Sequence, residues 1–120
     1  GIIENARHLG RDIIGPELEK LKAKHPSVGD VRGVGVFWAI ELVKNRETRE
    51  PLVPFNAAGP AAAPMAELIG ACKAQGLWPF THFNRMHVVP PLTTSDEDVR
   101  AGIAIIDDVL TLADAHYTGN

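Results

Sequence analysis

The run Val36 to Val43, VFWAIELV, limits most strongly what this chain can become. Its β-branched and aromatic residues read as a strand, and Glu41 is the one polar residue in it. The run is apolar on both faces, so cover on both faces is expected. A buried acid needs a partner, so Glu41 either meets a lysine or arginine of a neighbouring strand or domain, or stands at a solvated edge. The residues leave both open.

Around this strand the chain reads as helix, strand, strand, helix, strand, strand, helix. Residues 2 to 24 keep an apolar face through Ile2, Ala6, Leu9 and Ile13, then another through Ile14, Leu18 and Leu21. The phase slips by one residue near Gly15-Pro16. Pro16 has no N–H, so a kink or restart is expected there. Val28 to Arg32 is a short strand and Gly33-Val34-Gly35 a turn or bulge. Residues 44 to 60 are a polar, then Pro- and Gly-rich excursion. Met65, Leu68, Ile69 and Cys72 have helical spacing, ended by Gly76. Leu77 to Phe83 and Met86 to Val89 read as strands joined through Asn84-Arg85. Thr94 with Glu97 forms a capping box for a last helix from about Asp96 to His116. The expectation is an α+β fold: a small antiparallel or mixed sheet of three to four strands with helices packed on it, as one domain over residues 1–120.

Totals exclude several classes. In 120 residues the net charge is −3, with no basic footprint for nucleic acid. No run of 18 apolar residues suggests a membrane span, and residues 1 to 14 carry too many charges for a signal peptide. Cys72 is the single cysteine, so no internal disulfide forms and a cytoplasmic setting is expected. The chain opens in helical sequence without a cap, Gly1-Ile2-Ile3-Glu4-Asn5, as a segment of something longer would.

Few residues suggest chemistry. Gly33-Val34-Gly35 lacks the third glycine and the following helix of a dinucleotide fingerprint. The histidines at 8, 25, 82, 87 and 116 show no metal-ligand spacing. Ser27 and Ser95 sit in turn and cap contexts. The stretch RMHVVPPLTTSDED, residues 85 to 98, is more specific. Arg85 and His87 lie two apart, on one face of a strand that stops at Pro90-Pro91. Arg85 is either a solvated turn residue or a ligand contact.

Three stretches together resemble the C-terminal small domain of class-III pyridoxal-phosphate aminotransferases. HPSVGDVRGVGVFWAIELVKNRETREPL (25 to 52) resembles that family's helix end, V-R-G-x-G turn and apolar strand. AELIGACKAQGL (66 to 77) resembles its next helix, and HVVPPLTTSDEDVRAGIAIIDDVL (87 to 110) its final strand, double proline and terminal helix. The likeness covers nearly the whole chain, in the family's order, and is nearest the ω-amino-acid or amine–pyruvate branch. It implies a parent enzyme, likened to a homodimer, that carries pyridoxal 5'-phosphate and moves an amino group from an amine or ω-amino acid to a 2-oxo acid. The Schiff-base lysine and phosphate cup belong to a large domain. Lys20, Lys22, Lys24, Lys44 and Lys73 do not match that lysine's context, so no catalytic or cofactor-binding residue is assigned in this chain. Many relatives place a carboxylate-gripping arginine where His87 stands, so the resemblance implies Arg85 and His87 as substrate-binding. The alternative from the residues is a free-standing binding or regulatory module with a ferredoxin-like sheet.

Overall fold

A computed structural model describes residues 1–56, 58–91 and 94–119. The first helical region runs as α1 (Ile2–His8), a π-helical segment (Leu9–Ile14) and α2 (Gly15–Lys24). The phase slip has its cause here. A π turn inserts one residue, so Leu9 and Ile13 hand over to Ile14 and Leu18 with all four still buried. The N–H of Gly15 bonds to the carbonyl of Gly10, five residues back, and Pro16 sits at the start of α2, where a missing N–H costs little. The expected interruption is therefore a widened turn and not a restart.

Five strands follow, β1 (Val28–Val34), β2 (Phe37–Asn45), the two-residue β3 (Glu50–Pro51), β4 (Phe80–His82) and β5 (Arg85–Val88). Their order is β1-β2-β5-β4, with β3 beside β2, and every pairing is antiparallel. A ferredoxin-like sheet needs β-α-β-β-α-β order, with a helix between its first two strands. Here β1 turns directly into β2, so that alternative sheet is not favoured. A 3-10 turn (Gly59–Ala62) leads into α3 (Ala63–Ala74), and α4 (Asp96–Asp114) closes the described fold. Leu9, Leu18, Ile40, Leu42, Leu68, Met86 and Leu110 meet in one core between sheet and helices.

Cover on the two faces of β2 is unequal: Val43 on the Phe37 side is buried near the end of the strand, but the rest of that side is only partly covered. Ile40 and Leu42 are fully buried, while Phe37 on the opposite face is 60% exposed. The expected cover on both faces holds for Val43 but not for Phe37. Glu41 points to the open face and bonds Arg32 of β1 at 3.2 Å, which settles its partner.

The glycines of Gly33-Val34-Gly35 have separate structural roles. Gly35 takes φ +56° in the turn. Gly33 lies under Trp38, where a Cβ would come within 2.2 Å of the indole and 2.6 Å of the Phe37 carbonyl. The Trp38 Nε1–H donates to the Gly35 carbonyl at 2.8 Å and pins the ring there. Gly10 supplies the same clearance from the helix side, since its Cβ would meet the Gly35 oxygen at 2.1 Å.

Two histidines tie the first helices to α4. His25 is 2% exposed, with Nδ1 2.5 Å from Asp114 and Nε2 2.6 Å from Asp107. Burial opposes charge on Asp107, but hydrogen bonds from His25 and Lys24 prevail and hold its carboxyl below the usual range. His8 lies nearer the surface, with Nε2 2.8 Å from Asp96 and Nδ1 3.0 Å from Asp12. Those bonds, Asp96 first and Asp12 second, raise the His8 imidazole above its ordinary value. Arg11 foremost, then His8, lowers Asp12.

Gly33→Ala is expected to cost about 1–3 kcal/mol by overpacking, read from urea unfolding midpoints. Gly70 in α3 has no atom near its missing Cβ. Gly70→Ala should therefore gain up to about 1 kcal/mol of helix propensity, and equal effects at both sites would contradict this packing.

The His8 clasp adds a pH dependence of definite sign. A raised folded value means its contribution is full below about pH 6.5, the unfolded value, and is lost as pH rises through the folded value. Unfolding midpoints of the parent chain should fall relative to His8→Ala across that window. Parallel curves from pH 5.5 to 9 would refute the clasp.

Candidate substrate-contacting face

The β4–β5 hairpin builds this face. Its connection is Phe83-Asn84, with Phe83 in the left-handed region at φ +59°, as a two-residue hairpin turn requires. Asn84 is buried; its side-chain amide donates to the Leu42 carbonyl at 2.7 Å, and the Leu42 N–H donates to the Asn84 carbonyl at 2.9 Å. These bonds lock the turn to β2. Arg85 is consequently the first residue of β5, paired with His82 and Glu41, and not part of the connection expected from the sequence. The pairing strand β4 is shorter than Leu77 to Phe83 and begins at Phe80, just after Pro79, which has no N–H to give a ladder.

Arg85 and His87 share one face, as their spacing implied. That face carries Asp30 and Arg32 from β1, Glu41 from β2, and His82 and Phe80 from β4. Arg32 holds both Asp30 and Glu41, each at 3.2 Å. Arg85 is half-buried and, among the described residues, forms no ion pair or hydrogen bond. Its charge is left for something else.

His87 has a different setting. Its ring lies between Phe80, centroids 5.2 Å apart, and Phe37, 6.0 Å apart. Its Nδ1 is buried without a hydrogen-bond partner. Burial first, then the positive charge of Arg85 and the proximity of His82, push its pKa below the usual value. The charged form of His87 is thus disfavoured, and its Nδ1 is unanswered among the described residues. The two phenylalanines escaped the sequence reading because only strand register reveals them as neighbours of His87.

Beyond β5 the chain leaves the sheet at Pro90-Pro91, and a cleft of about 320 Å³ opens between Leu77–Phe80, these prolines and the first turns of α4. The Thr94 N–H bonds the Pro91 carbonyl at 3.0 Å. Ser95 caps α4 instead, accepting from the Asp98 N–H at 3.2 Å. The N-cap expected at Thr94 thus stands one residue later, and only the Ser95 half of a capping box forms among the described residues.

Pyridoxal phosphate makes specific demands on a binding site. That cofactor needs a lysine for its aldehyde and an acid for its pyridinium nitrogen. Lys20 lies on Glu17, Lys24 on Asp107, and Lys73 over the Trp78 ring at 4.7 Å. None of these three is aimed at the Arg85–His87 face.

Comparison with known proteins places the fold. The family profile for aminotransferase class-III matches residues 1–110. Taurine–pyruvate aminotransferase of Bilophila wadsworthia is 35% identical over 97% of this chain, which covers 25% of that protein. Ethanolamine-phosphate phospho-lyase homolog 1 of Caenorhabditis elegans is 32% identical over 92% of the chain and 22% of its own length. Among solved structures, taurine:2-oxoglutarate aminotransferase from Bifidobacterium kashiwanohense, in complex with PLP and glutamate, superposes with a TM-score of 0.84 at 28% identity, over 95% of this chain and 25% of that one. This chain thus spans about a quarter of the length of these relatives. With matching order, fold and sequence over nearly all its residues, the chain belongs to the class-III aminotransferase family.

Proposed function

We propose that this chain is the small domain of a pyridoxal-phosphate-dependent aminotransferase that moves an amino group from an amine or ω-amino acid to a 2-oxo acid such as pyruvate. The observation that carries the reading is Arg85, a half-buried guanidinium without a partner among the described residues, on the open face of a class-III sheet. A guanidinium offers a planar pair of donors that matches a carboxylate or sulfonate. His87 beside it adds a single hydrogen bond. Pro90-Pro91 end the strand that carries both, so their spacing along β5 is rigid.

The remainder of the enzyme, a large domain acting within a homodimer, holds the cofactor, which supplies the electron sink for amino transfer. This chain supplies one wall of the cleft. The thiol of Cys72 is buried and its pKa is raised by that burial, so it is an inert core residue suited to a reducing cytoplasm.

Arg85→Ala in the full-length protein should lower kcat/KM for carboxylate-bearing substrates by about 10- to 150-fold, equivalent to roughly 1.5–3 kcal/mol for a charged hydrogen bond. Amines without an acid group should change little. Equal losses for both kinds, or none, would remove Arg85 from the site.

A second expectation concerns the chain by itself. Mixed with pyridoxal phosphate and reduced by borohydride, it should give no stoichiometric adduct on one specific lysine. Such an adduct, located by peptide mapping, would contradict the reading of a domain without the cofactor site.

A further inference from the structure

The open face holds a second feature that carboxylate capture leaves unused. Phe37, His87 and Phe80 stand side by side across β2, β5 and β4, with His87 in the middle. Phe37 is 60% and Phe80 67% exposed. A single exposed aromatic residue needs no explanation. Three adjacent rings beside an unpaired guanidinium are less ordinary, since exposed apolar surface of this kind marks binding surfaces.

Three details suit this row to a small ligand. Ala39 lies directly opposite His87 in the register, and its methyl leaves a shallow floor next to the rings. The Phe37 and Phe80 rings are tilted 56° and 54° from the imidazole, so their faces are not consumed by stacking on it. The nearby acids Asp30 and Glu41 are both held by Arg32, which leaves the row without a free carboxylate to repel an acid ligand. With its charged form disfavoured, His87 also avoids placing a desolvated cation under an apolar group.

Distance connects the row to Arg85. Side chains two apart on a strand are separated by about 6.5 Å. A molecule whose acid group meets Arg85 therefore reaches the rings with whatever lies one short linker away.

We propose that Phe37, His87 and Phe80 form an aromatic wall that receives the flat apolar body of a substrate whose acid group sits on Arg85, so that the site prefers aryl-bearing acids over short acyclic ones. The proposal rests on the Arg85–His87 face being the substrate face. Its chemistry is binding alone: offset and edge contacts between rings. The wall discriminates by contact area, as an apolar pocket separates substrates by one or a few methylenes.

The test uses the full-length protein and two probes, 3-phenylpropionate and propionate. Their dissociation constants are measured by ligand NMR titration, which does not require turnover. The parent protein should bind 3-phenylpropionate at least tenfold more tightly. Phe80→Ala should weaken 3-phenylpropionate about tenfold and propionate less than twofold, and Phe80→Tyr should restore the difference. Phe37→Ala should act in the same direction.

Arg85→Ala separates the two readings. If it weakens both probes alike while Phe80→Ala weakens only the aryl probe, both readings stand. If the phenylalanine variants change neither probe, but Arg85→Ala weakens both, the wall is refuted and the acid site survives. If Arg85→Ala has no effect while Phe80→Ala still weakens only 3-phenylpropionate, the wall survives without its acid anchor. Equal weakening of both probes by Phe80→Ala, with an earlier thermal transition, would mean that the rings pack against the rest of the protein, and would overturn the wall.

Discussion

The pairing of β2 with β5 is the contact on which the rest depends. It aligns Trp38, Ala39, Ile40 and Glu41 with Val88, His87, Met86 and Arg85. Side chains alternate along a strand, so a slip of one residue would send Arg85 and His87 into the core and bring Met86 out. The buried Asn84 prevents that slip. Its side chain and backbone both bond to Leu42, which fixes where the hairpin turns and therefore which residues of β5 face outward. Core formation and site formation are consequently one event: Ile40 and Met86 enter the core because Glu41 and Arg85 do not.

Helix α4 is the strap across this arrangement. Apolar residues from Val99 to Ala113 supply its packing, but polar bonds set its position lengthwise. His8 meets its first turn through Asp96, and His25 its latter half through Asp107 and Asp114. Ser27 adds a hydroxyl bond to Asp114 at 2.6 Å. Arg46 joins the end of α2 to the end of β2 through the carbonyls of Lys22, His25 and Pro26. Only an imidazolium donates from both ring nitrogens. His8, whose imidazole is raised above its ordinary value, is thus a bridge whose full strength needs its proton.

Much of the fold was legible because periodicity reports burial directly. The one-residue slip between Ile13 and Ile14 was visible in the sequence. Its form was not, because a π turn and a kink both shift the apolar phase by a similar amount. The cap of α4 moved from Thr94 to Ser95 because the Pro91 carbonyl takes the Thr94 N–H. Arg85 moved from turn to strand because Asn84, polar in sequence, found its partners in the core. Each displacement is a local preference overruled by a bond to a residue far away in the chain.

By itself the sequence determined the α+β class, the order of the elements, the strand carrying Arg85 and His87 on one face, and a family likeness that the comparisons confirm. These follow from patterns of two and 3.6 residues and from short motifs, all local along the chain. Tertiary structure decided which partner each exposed group met. Arg32 took Glu41 and left Arg85 unpaired among the described residues, while Phe37 and Phe80 came to flank His87 from strands 50 and seven residues away. Sequence cannot reach those facts, because register between distant strands is set by how the whole core closes, and no single segment contains that information.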